Sequence, residues 1–193
     1  MGRTLFVGDV HGCADELDKL LRKARPTRVV LLGDLFTKGP DPRGVWSLIQ
    51  EWDAEAVLGN HDDDVLASWK PGKKLPKKAH RWLAKRPVTL EGRHGDRPWV
   101  AVHAGVHPRR GYRATTREQA LHMRTWKGRP WYKAYRKDRL VLHGHDARGG
   151  LIDTDALVWA LDQGLLGGAG LDVLEGEELA KEEQQLLSTD FPK

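Results

Sequence analysis

The chain is expected to adopt an α/β fold, a two-sheet β-sandwich flanked by helices, and three observations carry that expectation. Five apolar runs of strand length, Thr4–Val7, Arg28–Leu32, Glu55–Leu58, Trp99–Val102 and Leu140–Leu142, each lead into a polar segment containing glycine. Helix-like stretches alternate with the first of these runs, as parallel strands joined by crossover helices require. From Leu151 onward, short apolar runs punctuated by glycine read as further strands, which implies a second sheet packed on the first.

In chain order, Thr4–Val7 opens the sheet and Ala14 to Arg25 reads as a helix, stopped by Pro26. Arg28–Leu32 follows as the second strand, and Pro40 and Pro42 suit a loop that enters a helix over Pro42 to Trp52. Glu55–Leu58 is the third strand and Asp62 to Trp69 the third helix. The lysine-rich stretch of about 70–78, broken by Pro71, Gly72 and Pro76, reads as a basic insertion, with a helical turn from Arg81 to Arg86 after it. Glu177 to Leu187 reads as an exposed terminal helix inside an acidic tail of about 177–193. At 193 residues with 39% hydrophobic content, one domain spanning 1–193 is expected, and no internal repeat is visible.

Composition narrows the functional classes. Cys13 is the only cysteine, so no intramolecular disulfide can form and a reducing, cytoplasmic setting fits. No long apolar leader and no run of membrane-spanning length is present, so no membrane association is expected. Residues 67–113 carry thirteen Lys or Arg against Glu91 and Asp96, a distribution that suits either a funnel for polyphosphate or nucleic acid or a solvated basic surface. Of the eight tryptophans, Trp69, Trp82, Trp126 and Trp131 lie in or beside basic segments, where an indole could seat a base; core packing is the default for most.

The polar residues at the strand ends carry the chemistry. In a parallel sheet the carboxyl ends gather along one edge, so Asp9, His11, Asp34, Asn60, His103 and His145 would converge there, with His61 beside them. Asp9 and His11 are two residues apart and share a side if that segment is extended. Mixed oxygen and imidazole ligands suit manganese, iron(II), zinc or cobalt better than calcium, and with no cysteine among these ligands a closed thiolate zinc site is excluded. A carboxylate can bridge two ions about 3.5–4 Å apart, the spacing that holds both attacking and leaving oxygens of a displacement at phosphorus. Asp34 is the candidate bridge. Of His143 and His145, the Gly-His register favours His145 as ligand; His107 reads as a loop residue, and His80, His94 and His122 as surface or helix residues.

In order along the chain, Gly8-Asp9-Val10-His11-Gly12, Gly33-Asp34, Gly59-Asn60-His61-Asp62, His103-Ala104-Gly105 and Gly144-His145 resemble the calcineurin-like metallophosphoesterases. Leu161-Asp162-Gln163-Gly164 and Gly167-Gly168 extend the resemblance to about residue 171, since they are similar to the pair that closes this family's second sheet. The resemblance implies two divalent metals, manganese foremost, at the carboxyl ends of the strands. Asp9, His11 and Asp34 would hold one ion and Asp34, Asn60, His103 and His145 the other, with His61 as the general acid. The first block looks like the branch holding Ser/Thr phosphoprotein phosphatases and symmetrical diadenosine-tetraphosphate hydrolases.

Within that branch the second block, Gly33-Asp34-Leu35-Phe36-Thr37-Lys38-Gly39-Pro40, departs from the phosphatases. Thr37 stands where their Asp orients the catalytic His, so His61 is expected to lack that charged partner. Lys38 stands for the phosphate-binding Arg, a point charge in place of a bidentate fork. Lys38-Gly39-Pro40-Asp41 and the Asp after Asn60-His61 look more like the diadenosine-tetraphosphate hydrolases. Leu121-His122-Met123-Arg124 resembles that branch's Met-Arg element, which implies that Arg124 contacts phosphate. Symmetrical cleavage of diadenosine tetraphosphate to two ADP is the expected reaction; a Ser/Thr phosphatase or broad phosphomonoesterase with the same centre is the alternative. More remote is a non-enzymatic nucleic-acid or polyphosphate binder built on the basic stretch.

Overall fold

The first three apolar runs pair in parallel. In the computed structural model, which describes residues 3–68 and 75–145, β1 (Thr4–Val7), β2 (Arg28–Leu31) and β3 (Glu55–Ala56) lie side by side in that order. Thr4 stands opposite Arg28 and Val30 opposite Glu55. Parallel neighbours need crossovers, supplied by α1 (Ala14–Ala24) and α2 (Pro42–Glu51). Asp15 and Glu16 in the first turn of α1 and Arg22 and Lys23 in its last complement the helix dipole, and Arg25, at φ 46°, turns the chain out of it. At the start of α2 the Asp41 carboxylate accepts from the Gly44 N–H, with Pro42 next in line.

α3 (Asn60–Ser68) begins two residues earlier than its sequence pattern suggests, so Asn60 and His61 belong to its first turn. α4 (Lys77–Leu83) begins inside the expected basic insertion of about 70–78: Leu75, Ala79 and Leu83 are buried in the core while the lysines of its first turn stay outside. Residues 69–74 lie outside the described part.

The five runs do not share one sheet. β4 (Thr89–His94) and β5 (Arg97–Val102) form an antiparallel hairpin, with Gly95 at φ 55° in its turn. After β5 the chain makes α5 (Arg117–His122), then a small hairpin of β6 (Thr125–Trp126) and β7 (Arg129–Pro130), and returns as β8 (Leu140–Leu142), parallel to β5. The second sheet therefore forms from the fourth and fifth runs plus β4. The strands expected from Leu151, the Leu161-Asp162-Gln163-Gly164 segment and the terminal helix lie outside the described residues.

Strand alternation sorts the side chains into layers. Leu5, Val7, Val29 and Leu31 pack with Leu17, Leu21, Val45, Leu48 and Ile49 between sheet and helices. Phe6, Val30 and Leu32 face the other way and meet Trp99, Ala101, Leu90 and Leu142 of the second sheet, with the Phe6 and Trp99 rings edge to face at 5.0 Å. Val102 of β5 faces a third cluster with Val106, Ala120, Met123 and Trp131. Among the described residues no helix is long and apolar enough to cross a membrane.

Candidate metal centre

The carboxyl ends of β1, β2, β3, β5 and β8 meet at one edge of the sandwich, and backbone bonds lace the loops there. His11 N–H donates to the Asp34 carbonyl at 2.7 Å and Gly12 N–H to that of Leu35 at 2.8 Å. Asp9 and His11 do converge, but not through an extended segment: His11 lies at φ 48°, and this left-handed turn brings its Nε2 to 3.9 Å from Asp9 Oδ2 and 3.8 Å from Asp34 Oδ2. Asp34 (φ 54°) and His145 (φ 73°) share that conformation, which non-glycine residues adopt at a cost of about 1–3 kcal/mol and which clusters at functional sites.

Asp34 is 2% exposed. Its Oδ1 accepts the His61 N–H at 2.9 Å, and its Oδ2 stands 3.6 Å from His103 Nε2. The loops after β2 and β3 touch so closely that a Cβ on Gly59 would lie 2.2 Å from Asp34 N and Oδ1. Asp62 holds this approach. Fully buried, it accepts the Leu35 N–H at 2.9 Å and the Gly59 N–H at 3.1 Å, and burial pushes its carboxyl pKa up to about 7. Sequence reasoning passes over that role, although an aspartate in the first turn of a helix is its usual signal.

His103 donates through Nδ1–H to the Leu32 carbonyl at 2.8 Å, which leaves Nε2 as its acceptor nitrogen. That nitrogen faces Asn60 Oδ1 at 2.9 Å and His145 Nδ1 at 3.0 Å, and the His145 N–H donates to Asp9 Oδ1 at 3.2 Å. A histidine tied to a carbonyl by one nitrogen, with the other left as acceptor, is in the state that metal-binding histidines adopt. Burial, the largest influence on each, lowers the pKa of both His11 and His103 to about 4, against the opposing pull of Asp34 on His11 and of the Leu32 carbonyl on His103. Both imidazoles are therefore neutral at pH 7, as a ligand must be.

The donor set fits divalent ions. Among the described residues, Asp9, Asp34 and His103 each offer a ligand atom within 4.8 Å of the others. Two ligands each about 2.1 Å from one ion stand roughly 3 to 3.5 Å apart, and the separations of 2.9, 3.0, 3.6, 3.8 and 3.9 Å given above lie in or just beyond that range. All six expected ligands are brought together, and Asp34 Oδ2 stands near both His11 and His103.

Lys38, at φ 64°, puts Nζ 3.1 Å from His11 Nε2, and Arg124 puts Nε 3.4 Å from His145 Nε2, so the two expected phosphate-binding cations flank the centre. The His61 ring lies 5.5 Å from that of His11. Thr37 corrects an expectation. Its Oγ1 is 3.0 Å from His11 Nδ1 and steadies that ring, while His61 has a carboxylate neighbour of its own in Asp64, whose Oδ2 is 3.6 Å from His61 Nδ1 one helical turn on. His122, expected as a surface or helix residue, is the exposed last residue of α5, and its ring lies 6.4 Å from that of His145.

Other candidates serve the scaffold. His107 is 5% exposed, and its Nδ1 accepts the Arg109 and Arg110 N–H groups at 3.3 and 3.1 Å, fixing a turn. Trp131 is buried and donates to the Ala104 carbonyl at 3.0 Å, tying the β7 arm to the His103 loop. Trp126 lies 4.6 Å from the His107 ring, Trp82 beneath the Arg86 guanidinium at 4.2 Å, and Trp69 outside the described residues.

Comparison with known proteins agrees with this geometry. Residues 2–167 match the calcineurin-like phosphoesterase family. Residues 145–191 also match the NAD-binding domain of D-isomer-specific 2-hydroxyacid dehydrogenases, over too little of the chain to assign a family. The symmetrical bis(5'-nucleosyl)-tetraphosphatase of Aeromonas salmonicida is 40% identical over 125 residues, covering 53% of this chain and 44% of that protein. Its namesake in Mannheimia succiniciproducens is 34% identical over 125 residues, covering 54% and 45%. The match thus spans a little under half the length of these relatives. A crystal structure described, provisionally, as a diadenosine tetraphosphatase superposes with a TM-score of 0.70 at 33% identity, covering 79% of this chain and 78% of that one.

Proposed function

Since this chain belongs to the calcineurin-like phosphoesterase family, we propose that it is a dinuclear-metal hydrolase that splits diadenosine tetraphosphate symmetrically into two ADP. The observation that supports the reading is the position of Asp34, whose Oδ2 lies 3.8 Å from His11 Nε2 and 3.6 Å from His103 Nε2, with Asp9 beside His11 and Asn60 and His145 beside His103. The names borne by the curated relatives and by the superposed structure support the substrate.

Asp9, His11 and Asp34 would hold one ion and Asp34, Asn60, His103 and His145 the second, with manganese the first candidate and iron, zinc or cobalt compatible with the same donors. When bound, such a pair supplies Lewis acidity, ionising water near neutral pH and neutralising charge on phosphoryl oxygens. Lys38 and Arg124, on opposite flanks, clamp the non-bridging oxygens and orient the scissile phosphoryl group. Water adds to phosphorus, the bridging P–O bond breaks, and His61 gives its proton to the departing ADP oxygen; imidazole is the side chain suited to that transfer at neutral pH. Asp64, with Oδ2 3.6 Å from His61 Nδ1, stands on the ring's other nitrogen and helps orient it. A reducing, cytoplasmic compartment accords with this nucleotide chemistry and with the single cysteine.

The test is kcat/KM of the metal-stripped, manganese-reloaded protein on diadenosine tetraphosphate and on a phosphothreonine peptide side by side. Preference for the dinucleotide with ADP as sole product is the expected outcome; preference for the peptide makes the chain a small protein phosphatase.

A further inference from the structure

α5 ends in an extended residue: Met123 has φ −71° and ψ 113°. Its side chain is 9% exposed and packs in the third cluster with Ala120 and Trp131. In extended backbone the neighbours of a buried residue point the other way, so His122 and Arg124 share the exposed side. Both stand at His145: Arg124 Nε is 3.4 Å from His145 Nε2, and the His122 ring is edge-on to the His145 ring at 6.4 Å. His103 lies nearer to His145, at 4.8 Å between rings, so His122 stands outside the circle of candidate ligands.

The helix end is held firmly. Thr116 and Gln119 form a reciprocal capping box, Arg117 pairs with Asp63 of α3 at 2.7 Å, and the Ala120 carbonyl accepts the N–H of Ala104 in the His103 loop at 2.8 Å. Glu118 is 3.9 Å from His122 Nε2, and the His122 side chain keeps 47% of its surface open. An open imidazole on a fixed helix end, beside an arginine and just beyond the candidate ligands, can serve as an N–H donor to an oxygen that approaches that side.

Resting on the reading above, we propose that His122 is a further substrate-binding residue, donating a hydrogen bond to a phosphoryl oxygen on the His145 side of the centre, next to Arg124. It divides the phosphate contacts into a pair, His122 and Arg124, on one flank and Lys38 on the other, and so helps select a chain of phosphates over a single ester.

The experiment compares the full chain with His122→Ala and His122→Gln, each reloaded with manganese. Metal content is read by mass spectrometry, affinity for inorganic phosphate by calorimetry, and kcat and KM on diadenosine tetraphosphate. His122→Ala is expected to keep both ions, weaken phosphate binding and raise KM about 10- to 100-fold, the loss of one hydrogen bond to a charged group, with kcat changed far less. His122→Gln, which keeps an N–H donor, is expected to recover most of the loss. Unchanged phosphate affinity in His122→Ala overturns the contact, and so does loss of metal, since His122 would then merely support His145. If the parent protein leaves diadenosine tetraphosphate uncut, the substrate reading fails, while the phosphate titration still decides the contact.

Discussion

Asp34 concentrates several demands on one side chain. It is buried, it sits in a left-handed conformation, its Oδ1 is committed to the His61 amide, and its Oδ2 faces two imidazoles at 3.8 and 3.6 Å. An amide in its place can keep the bond to the His61 N–H but brings neither a negative charge nor an oxygen that can bridge two ions. Asp34→Asn is therefore expected to lose tight binding at both halves of the centre, by at least about 100-fold in affinity, read by manganese calorimetry on a protein whose circular dichroism is unchanged. Retention of two tightly held ions would contradict its shared role. Asp62 lies close by and serves the backbone instead, its two oxygens clamping the Leu35 and Gly59 amides. The residue types were legible as candidate ligands, because each follows an apolar run; the division of labour among Asp62, Asp63 and Asp64 was not. One lies buried against backbone amides, one pairs with Arg117 and one faces His61, and which does which depends on what each turn of α3 packs against.

Among elements, α4 shows how composition misleads. Lys77 and Lys78 make its first turn read as part of a basic insertion, yet Leu83 and Ala79 are fully buried beside Leu75. Basic residues on the outer side of a short helix say little about its inner side. Leu83→Ala is expected to cost about 2–5 kcal/mol, the range for emptying a packed leucine site, seen as a lower urea midpoint with the slope retained. A change under about 0.5 kcal/mol, usual for exposed sites, would mean that the segment hangs outside the core. β4 and α5 escaped for opposite reasons. Among the described residues β4 stands at the edge of its sheet, and its Glu91, Gly92, Arg93 and His94 carry no apolar alternation. α5 did have a local signal, the Thr116 and Gln119 capping box, but its six residues are too few for a visible period.

At the level of the complete fold, the buried edge of the sandwich carries a pH dependence. His11 and His103 titrate at about 4 in the folded protein against an ordinary 6.5, so the unfolded chain binds more protons between those values and stability falls as pH drops through the window. Asp62 opposes them: raised from 3.8 to about 7, it makes the folded state the better proton binder in nearly the same range. Two imidazoles outweigh one carboxyl, so the metal-free protein is expected to show a lower urea midpoint at about pH 5 than at about pH 7. Asp62→Asn, which removes the opposing group, should steepen the fall. A midpoint that rises at the lower pH would mean that the histidines are not buried neutral.

What could be read without coordinates was the set of strand-end residues, because glycine beside a polar side chain after an apolar run marks where backbone can turn toward an ion, and because alternation of strands with helices implies a shared edge. The three parallel strands and their two crossover helices were legible for the same local reasons. Which strands share a sheet was not, since β5 takes its place through pairing with β4 and β8, a choice made by contacts far apart in sequence. Nor was the company of each histidine. His11 leans on Thr37, His61 has Asp64 near it, His103 is held by Leu32 and His122 stands at His145, and each pairing arises only when left-handed turns and packed layers bring distant segments within a hydrogen bond's reach.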